Sequence, residues 1–157
     1  MTDPCIAKIR EAFIEKVGLI KQNDGLPRTA GRIFGLLMFD GKVTSFADLA
    51  DELQVSRGSI STATRQLEER GLIKRVGRLG ERQDYFQMVD NPYAGMLQNI
   101  AAEMTRSKAE IDATLSELCD IDPAARERLV AFSHFYETVS RGVRRSADEL
   151  DEQTEID

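Results

Sequence analysis

Tryptophan is absent from this 157-residue chain, histidine occurs once, and cysteine twice. With His134 as the one histidine, the sequence shows no histidine-centred acid/base pair, and no HExxH, GxSxG or P-loop pattern is present. Ser59 and Ser61 fall on a helix face with no base near them in sequence, so an enzyme is not expected. Cys5 and Cys119 stand far apart with no CxxC or Cys/His spacing, so neither a zinc site nor another cofactor is expected. The longest apolar run is only a few residues, too short to span a bilayer, and the start lacks the basic-then-apolar layout of a signal peptide. The expectation is a cytoplasmic protein with no membrane partner.

What the chain does have is 41% hydrophobic residues, enough for one respectable core with long helical extensions. The net charge of −6 argues against a nucleic-acid partner until it is divided by region. From Ser56 to Arg82, seven basic residues (Arg57, Arg65, Arg70, Lys74, Arg75, Arg78, Arg82) outnumber three acidic ones (Glu68, Glu69, Glu81), a local +4. From Asn91 to Asp157, 14 acidic residues outnumber 7 basic ones, and six of those acids fall in residues 148–157. Such segregation fits one surface that meets phosphates while the rest keeps the protein in solution.

Asp3-Pro4, Asn91-Pro92 and Asp122-Pro123 each offer a capping side chain followed by proline, the arrangement that opens a helix. After the first, Ile6, Ile9, Phe13, Val17 and Ile20 recur at helical spacing until Asn23-Asp24-Gly25. A second helix runs from about Arg28 to Phe39, where Ala30, Gly31 and Gly35 leave room for another backbone. Ser45 with Asp48 opens a short third helix, a tight turn falls at Gln54-Val55, and Ser56 caps a fourth that Gly71 ends. Leu72–Val76 and Arg82–Val89 are β-prone, with Gly77–Gly80 as the tip between them. Two long helices complete the chain. Tyr93, Met96, Leu97, Ile100, Met104, Ile111, Leu115 and Leu118 stripe one, and Leu129, Phe132, Tyr136, Val139 and Val143 the other, parted by a turn at Cys119–Asp122. These stripes exceed what one subunit covers and predict pairing with a second copy.

Helix, tight turn, helix and ribbon in this order predict a mainly α protein with a small β-ribbon, a winged helix-turn-helix flanked by long N- and C-terminal dimerisation helices. The expected parts are an N-terminal dimerisation helix (1–24), a DNA-binding domain (25–90) and a helical dimerisation region with an acidic tail (91–157). On a helical wheel Ile60, Ala63, Thr64 and Leu67 form the core side of the Ser56–Arg70 helix. The other side gathers Gly58, Ser61, Thr62, Arg65 and Glu69, with Ser59 and Gln66 flanking and Arg57 in the first turn. Short polar side chains permit close approach, and arginines reach a guanine edge or a phosphate. Arg75, Arg78 and Arg82 surround the Gly-x-x-Gly tip and fit a wing whose tip enters the minor groove. Glu81, next to Arg82, is placed either to orient an arginine by a charge-assisted hydrogen bond or to stand as an unpaired surface acid. A winged helix used only to bind protein is the rival reading, and arginines on both the helix and the wing weigh against it.

Four runs, GLPRTAGRIFGLLM, SFADLADELQVSRGSIS, LEERGLIKRV and GERQDYFQMV, resemble the MarR superfamily of transcriptional regulators, and within it the GbsR-like branch, from about Gly25 to Gly95. The resemblance implies a homodimeric winged-helix repressor that binds a palindromic operator in double-stranded DNA and is released by a small ligand or a redox signal. It assigns Ser56, Arg57, Ser59, Ser61, Thr62 and Arg65 to the recognition helix and Arg78 and Arg82 to the wing. Where many relatives carry Asp-x-Arg near the wing and then Leu-Thr, this chain has Gly-Glu-Arg and then Asp90-Asn91-Pro92. GbsR-like regulators are associated with choline and glycine betaine. An aromatic cage for such a cation would draw on Phe34, Phe39, Tyr85, Phe86, Tyr93, Phe132, Phe135 and Tyr136, residues whose spacing reads as core. The effector's identity is therefore left open, as is redox sensing by Cys5, and His134 reads as structural.

Overall fold

The computed structural model describes residues 4–118 and 121–154. Asp3 of the first cap, the Cys119 side of the inter-helix turn and the last three residues of the acidic end lie outside the described residues. The chain divides into two compact units, 1–92 and 93–157. No helix among the described residues is long and apolar enough to cross a membrane.

The first unit contains α1 (Pro4–Asn23), α2 (Arg28–Asp40), β1 (Thr44–Ser45), α3 (Phe46–Leu53), α4 (Arg57–Glu69), β2 (Ile73–Val76) and β3 (Tyr85–Met88). α2 is its axis. Ile33, Leu36 and Leu37 of α2 meet a core that includes Leu49 and Leu53 of α3, Ile60, Ala63 and Leu67 of α4, and Leu72, Ile73 and Phe86 of the sheet. Full burial of each large aliphatic side chain is worth about 1.5–3 kcal/mol. α1 packs along α2 at close range. A Cβ built on Gly31 would lie 2.7 Å from the Gly18 Cα and 2.8 Å from the Val17 carbonyl oxygen, and one on Gly35 would lie 3.0 Å from the Val17 Cβ. Ile14, Val17 and Gly18 are the residues α1 buries, whereas Ile6, Ile9 and Ile20 of the expected stripe are about half exposed.

Local chemistry sets the ends of the short helices. The Ser45 hydroxyl accepts the Asp48 N–H at 3.0 Å, satisfying one orphan donor of α3. Gln54 then takes a left-handed conformation (φ 53°), donating its N–H to the Ala50 carbonyl and turning the chain sharply into α4. Ser56 caps α4 by accepting the Ser59 N–H at 3.1 Å.

The sheet has three strands, in the order β1-β3-β2, all antiparallel. The sequence reading had two. β1 is only two residues long, and its pairing of Thr44 with Phe86 and Ser45 with Tyr85 carries no local sequence pattern. The second ribbon strand starts at Tyr85 rather than Arg82, because Val76 pairs with Tyr85 and leaves an eight-residue loop, 77–84. Within that loop Gly80 has φ +84°, the backbone conformation for which glycine is needed, and Glu81 donates its N–H to the Arg78 carbonyl.

The second unit is a helical hairpin, α5 (Pro92–Glu117) and α6 (Pro123–Thr154). Asp122 caps α6 by accepting the Ala125 N–H at 3.0 Å. Cross-helix bonds run from Gln98–Asp151 through Thr105–Ser140 to Asp112–Ser133, so the helices are antiparallel. The buried residues of α6 are the small Ser133, Ser140 and Ala147, seven apart, rather than the apolar stripe. Leu129, Tyr136, Val139 and Val143 are half-buried, and Val130, Phe132 and Phe135 are exposed. Helical structure continues through the acidic stretch to Thr154.

Candidate nucleic-acid interface

α4 presents one face to the core and the opposite face to solvent. Ile60, Ala63, Thr64 and Leu67 are buried, and Thr64 donates its hydroxyl to the Ile60 carbonyl at 2.9 Å, so its polar atom is satisfied inside. Gly58, Ser59, Ser61, Thr62, Arg65 and Glu69 are exposed, in accord with the helical wheel. The Ser56 and Ser59 hydroxyls are 2.9 Å apart at the N-terminal end of α4, where the helix dipole also favours an anion. A groove of about 440 Å³ runs beside this end, lined by Pro27 and Thr29 from the start of α2 and by Ser56, Gly58, Ser59 and Thr62.

The arginines differ in how they are held. Arg65 is 69% exposed and only 4.0 Å from Glu69, a loose pair on one helix face. The Arg57 guanidinium stacks 4.8 Å from the centroid of the Phe46 ring, and that of Arg78 4.2 Å from the Tyr85 ring. Arg82 is exposed on the 77–84 loop. Among the described residues, no carboxylate lies within ion-pair distance of Arg57, Arg78 or Arg82.

Arg75 is different. Its guanidinium donates to both carboxylate oxygens of Glu68, at 3.0 and 3.3 Å, and to Asp84 at 3.0 Å, and lies over the Phe86 ring at 5.5 Å. Arg75 thus sits in a joint between β2 and the last turn of α4, and although its side chain is 48% exposed it differs from Arg57, Arg78 and Arg82 in having carboxylate partners. Lys74 is similarly close to Asp90, at 3.6 Å. Glu81, expected either to orient an arginine or to stand as an unpaired surface acid, instead accepts a hydrogen bond from the Tyr85 hydroxyl, because the turn at 78–81 brings it back over β3.

Several positioning residues were not singled out for these roles in the sequence. Phe46 and Tyr85 carry the stacked arginines. Asp84 bonds Arg75 through its carboxylate and accepts the Phe46 N–H on its carbonyl at 2.8 Å, tying the wing to α3. Glu68 anchors Arg75. Their partners are 7 to 38 residues away in sequence, beyond local periodicity. Of the remaining candidates, Cys5 is exposed in the first turn of α1, and His134 is exposed and 3.6 Å from Glu137. Phe34, Tyr85 and Phe86 are buried in the first unit, while Phe132, Phe135 and Tyr136 stack edge-on along α6 in the second.

The sequence profile of the MarR family matches residues 24–83. The HTH-type transcriptional regulator MmpR5 of Mycobacterium tuberculosis is 34% identical over 118 residues, spanning 74% of this chain and 72% of that protein. The HTH-type transcriptional repressor OpcR of Bacillus subtilis is 25% identical over 153 residues, spanning 87% of this chain and 83% of that protein. A solved structure described as a transcriptional regulator superposes with a TM-score of 0.80 at 28% identity, covering 91% of this chain and 98% of its own.

Proposed function

Because this chain belongs to the MarR family of DNA-binding transcriptional regulators, a non-enzymatic class, we propose that it is a homodimeric repressor that reads a palindromic operator with α4 and grips the flanking DNA with its wing. The observation that carries the reading is the exposed α4 face of small polar residues with Arg65, only loosely paired with Glu69, continued by Arg57, Arg78 and Arg82, which have no carboxylate within ion-pair distance among the described residues. Ser56, Ser59, Ser61 and Thr62 let the helix approach base edges; Arg57 and Arg65 supply base and phosphate contacts; Arg78 and Arg82 hold the minor groove or backbone. Arg75 supports the wing. Repression is supported by the repressor OpcR, alike over most of both chains.

The second copy binds along α1, α5 and α6. Support comes from apolar side chains left about half exposed: Ile6, Ile9, Leu19 and Ile20 on α1, Tyr93 on α5, and Val130, Phe132 and Phe135 on α6. A two-fold dimer sets half-sites about one helical turn apart. Membership of the GbsR-like branch, release by a small ligand and a cytoplasmic location complete the reading.

Fluorescence anisotropy of the purified protein on its own upstream intergenic DNA, against scrambled DNA at two salt concentrations, tests it. Selective, salt-sensitive binding that Arg57→Ala/Arg65→Ala abolishes is the expected result. Absence of binding to either DNA at low salt would overturn the regulator reading in favour of a protein-binding adaptor. Light scattering at micromolar concentration should give a dimer; a monomer removes the palindrome.

A further inference from the structure

Two exposed guanidiniums that have no carboxylate within ion-pair distance among the described residues, those of Arg57 and Arg78, lie over aromatic rings, and both rings belong to one junction. Phe46, under Arg57, opens α3 and donates its N–H to the Asp84 carbonyl at 2.8 Å. Tyr85, under Arg78, opens β3 and pairs with Ser45, the residue before Phe46. The ring beneath the recognition-helix arginine and the ring beneath the wing arginine are therefore carried by neighbouring positions of a single backbone ladder. Tyr85 is further fixed, its hydroxyl donating to Glu81 and accepting from Gln83 Nε2 at 3.0 Å, and it is buried.

A ring holds a guanidinium differently from a carboxylate. It restricts the side chain through its quadrupole and flat face while leaving the positive charge and the N–H edges for another partner. A carboxylate such as Glu68 would compete with the phosphate. An arginine ordered in advance also loses less freedom when its ligand arrives. We propose that Phe46 and Tyr85 are positioning residues for DNA recognition, a two-ring platform that presets Arg57 on the helix and Arg78 on the wing from one joint. The inference rests on the DNA-binding reading of these two arginines.

The platform is testable in the free full-length protein by NMR. The Arg57 side-chain protons are expected upfield of their random-coil positions because of the Phe46 ring current, losing that shift in Phe46→Leu and keeping it in Phe46→Tyr. Arg78 is expected to show the same over Tyr85 and to keep it in Tyr85→Phe. Random-coil shifts for both arginines in the unmodified protein overturn the platform whether or not DNA binds.

On the upstream DNA, Phe46→Leu should weaken affinity about two- to fivefold, the size of a moderate cation–π contact, and Phe46→Tyr should restore it. In an Arg57→Ala background, Phe46→Leu should cost nothing further. An equal loss in both backgrounds marks Phe46 as a fold residue only and overturns its positioning role. If Arg57→Ala leaves affinity unchanged while the ring shift is intact, the inference falls for this arginine but the regulator reading, carried by Arg65 and Arg82, stands. If the unmodified protein binds no DNA, both fall.

Discussion

The two sides of the first unit treat arginine in opposite ways. On the side built from α1, α2 and α3, every arginine of α1 and α2 is matched to acid. Arg10 makes a two-pronged pair with Asp40, at 2.6 and 2.7 Å, and also meets Glu52. Arg28 and Arg32 share Glu15, at 2.7 and 2.6 Å, and Arg32 also donates to the Leu53 carbonyl at 3.1 Å, closing the end of α3. On the side of α4 and the wing loop, Arg57, Arg65, Arg78 and Arg82 are stacked, loosely paired or open to solvent. The first group fastens helices together. The second group holds positive charge that is neutralised only loosely, by Glu69 beside Arg65, and such charge is what an anionic polymer needs to find. Arg75 shows why sign alone is a poor guide: it lies in the basic segment but behaves like the first group.

The largest effect on DNA binding should come from the second group. Arg65→Ala is expected to cost about 1–3 kcal/mol on operator DNA if it makes a bidentate base contact, with a smaller loss on scrambled DNA. Arg57→Ala/Arg65→Ala should cost more than either change alone. Both substitutions are on the surface, so urea midpoints should move by no more than about 0.5 kcal/mol of stability. Equal losses on both DNAs would make Arg65 a phosphate contact. A large drop in stability would mean the two sides are not separate in function.

The first group should fail in stability instead. Gly31→Ala forces a methyl against the Gly18 Cα at 2.7 Å and the Val17 carbonyl, backbone atoms that can yield only if α1 moves away from α2. Overpacking of this kind costs about 1–3 kcal/mol, read as a lower urea midpoint. Gly18→Ala meets chiefly the Arg32 Cγ at 2.9 Å, a side-chain atom that can shift, and should cost less. If both are neutral, the close α1–α2 crossing does not limit stability.

Much of this division is legible in the sequence where the signal is local. Ser45 and Ser56 mark helix starts because a hydroxyl and a donor three residues on are enough to form the cap. The exposed and buried faces of α4 follow from a 3.6-residue period. The close approaches at Gly31 and Gly35 follow from residue size, although what faces them, Gly18 and Val17 for the first and Val17 and Ile14 for the second, does not. Long-range pairing is where legibility ends. Nothing around Thr44 announces a strand, since β1 exists only through its pairing with β3. Arg75 and Arg78 are indistinguishable in the sequence, yet Glu68 and Asp84 converge on one and Tyr85 lies under the other. In α6 the apolar stripe points to a face for a second copy, whereas nothing in the sequence marks the buried positions within the chain, Ser133, Ser140 and Ala147, whose small side chains let two long helices close.

A finer comparison sets Arg75 against Arg82. Arg82→Ala should make the log-log salt dependence of DNA affinity shallower by about 0.9, the release of one phosphate's counterions, with no change in stability. Arg75→Ala should leave that slope nearly unchanged and lower stability by no more than about 1 kcal/mol, since its pairs with Glu68 and Asp84 are half exposed. Reversed slopes would show that Arg75 leaves its carboxylates when DNA binds.

The smallest effect concerns pH, and it separates the two groups by the variable each obeys. The two-pronged bond from Arg10 holds the Asp40 carboxyl below its ordinary value of 3.8, against the opposing effect of burial and with help from Lys42. An unfolded chain takes up a proton near that ordinary value while the folded one still resists. The stability the pair contributes is therefore fully present above it and is lost as pH falls toward the lower, folded value. Urea midpoints measured from about pH 6 to about pH 3 should fall less steeply in Asp40→Asn than in the unmodified protein, starting from a lower level at neutral pH. DNA affinity at neutral pH should be the same in both, because Asp40 faces Arg10 and not the α4 surface. An unchanged acid limb in Asp40→Asn would mean that the Arg10–Asp40 pair does not help to hold α1 to α2, leaving the glycine crossing and the Glu15 pairs with Arg28 and Arg32. A changed DNA affinity would mean that strain on the matched side reaches the unmatched one, and that α1 is a lever on the reading helix.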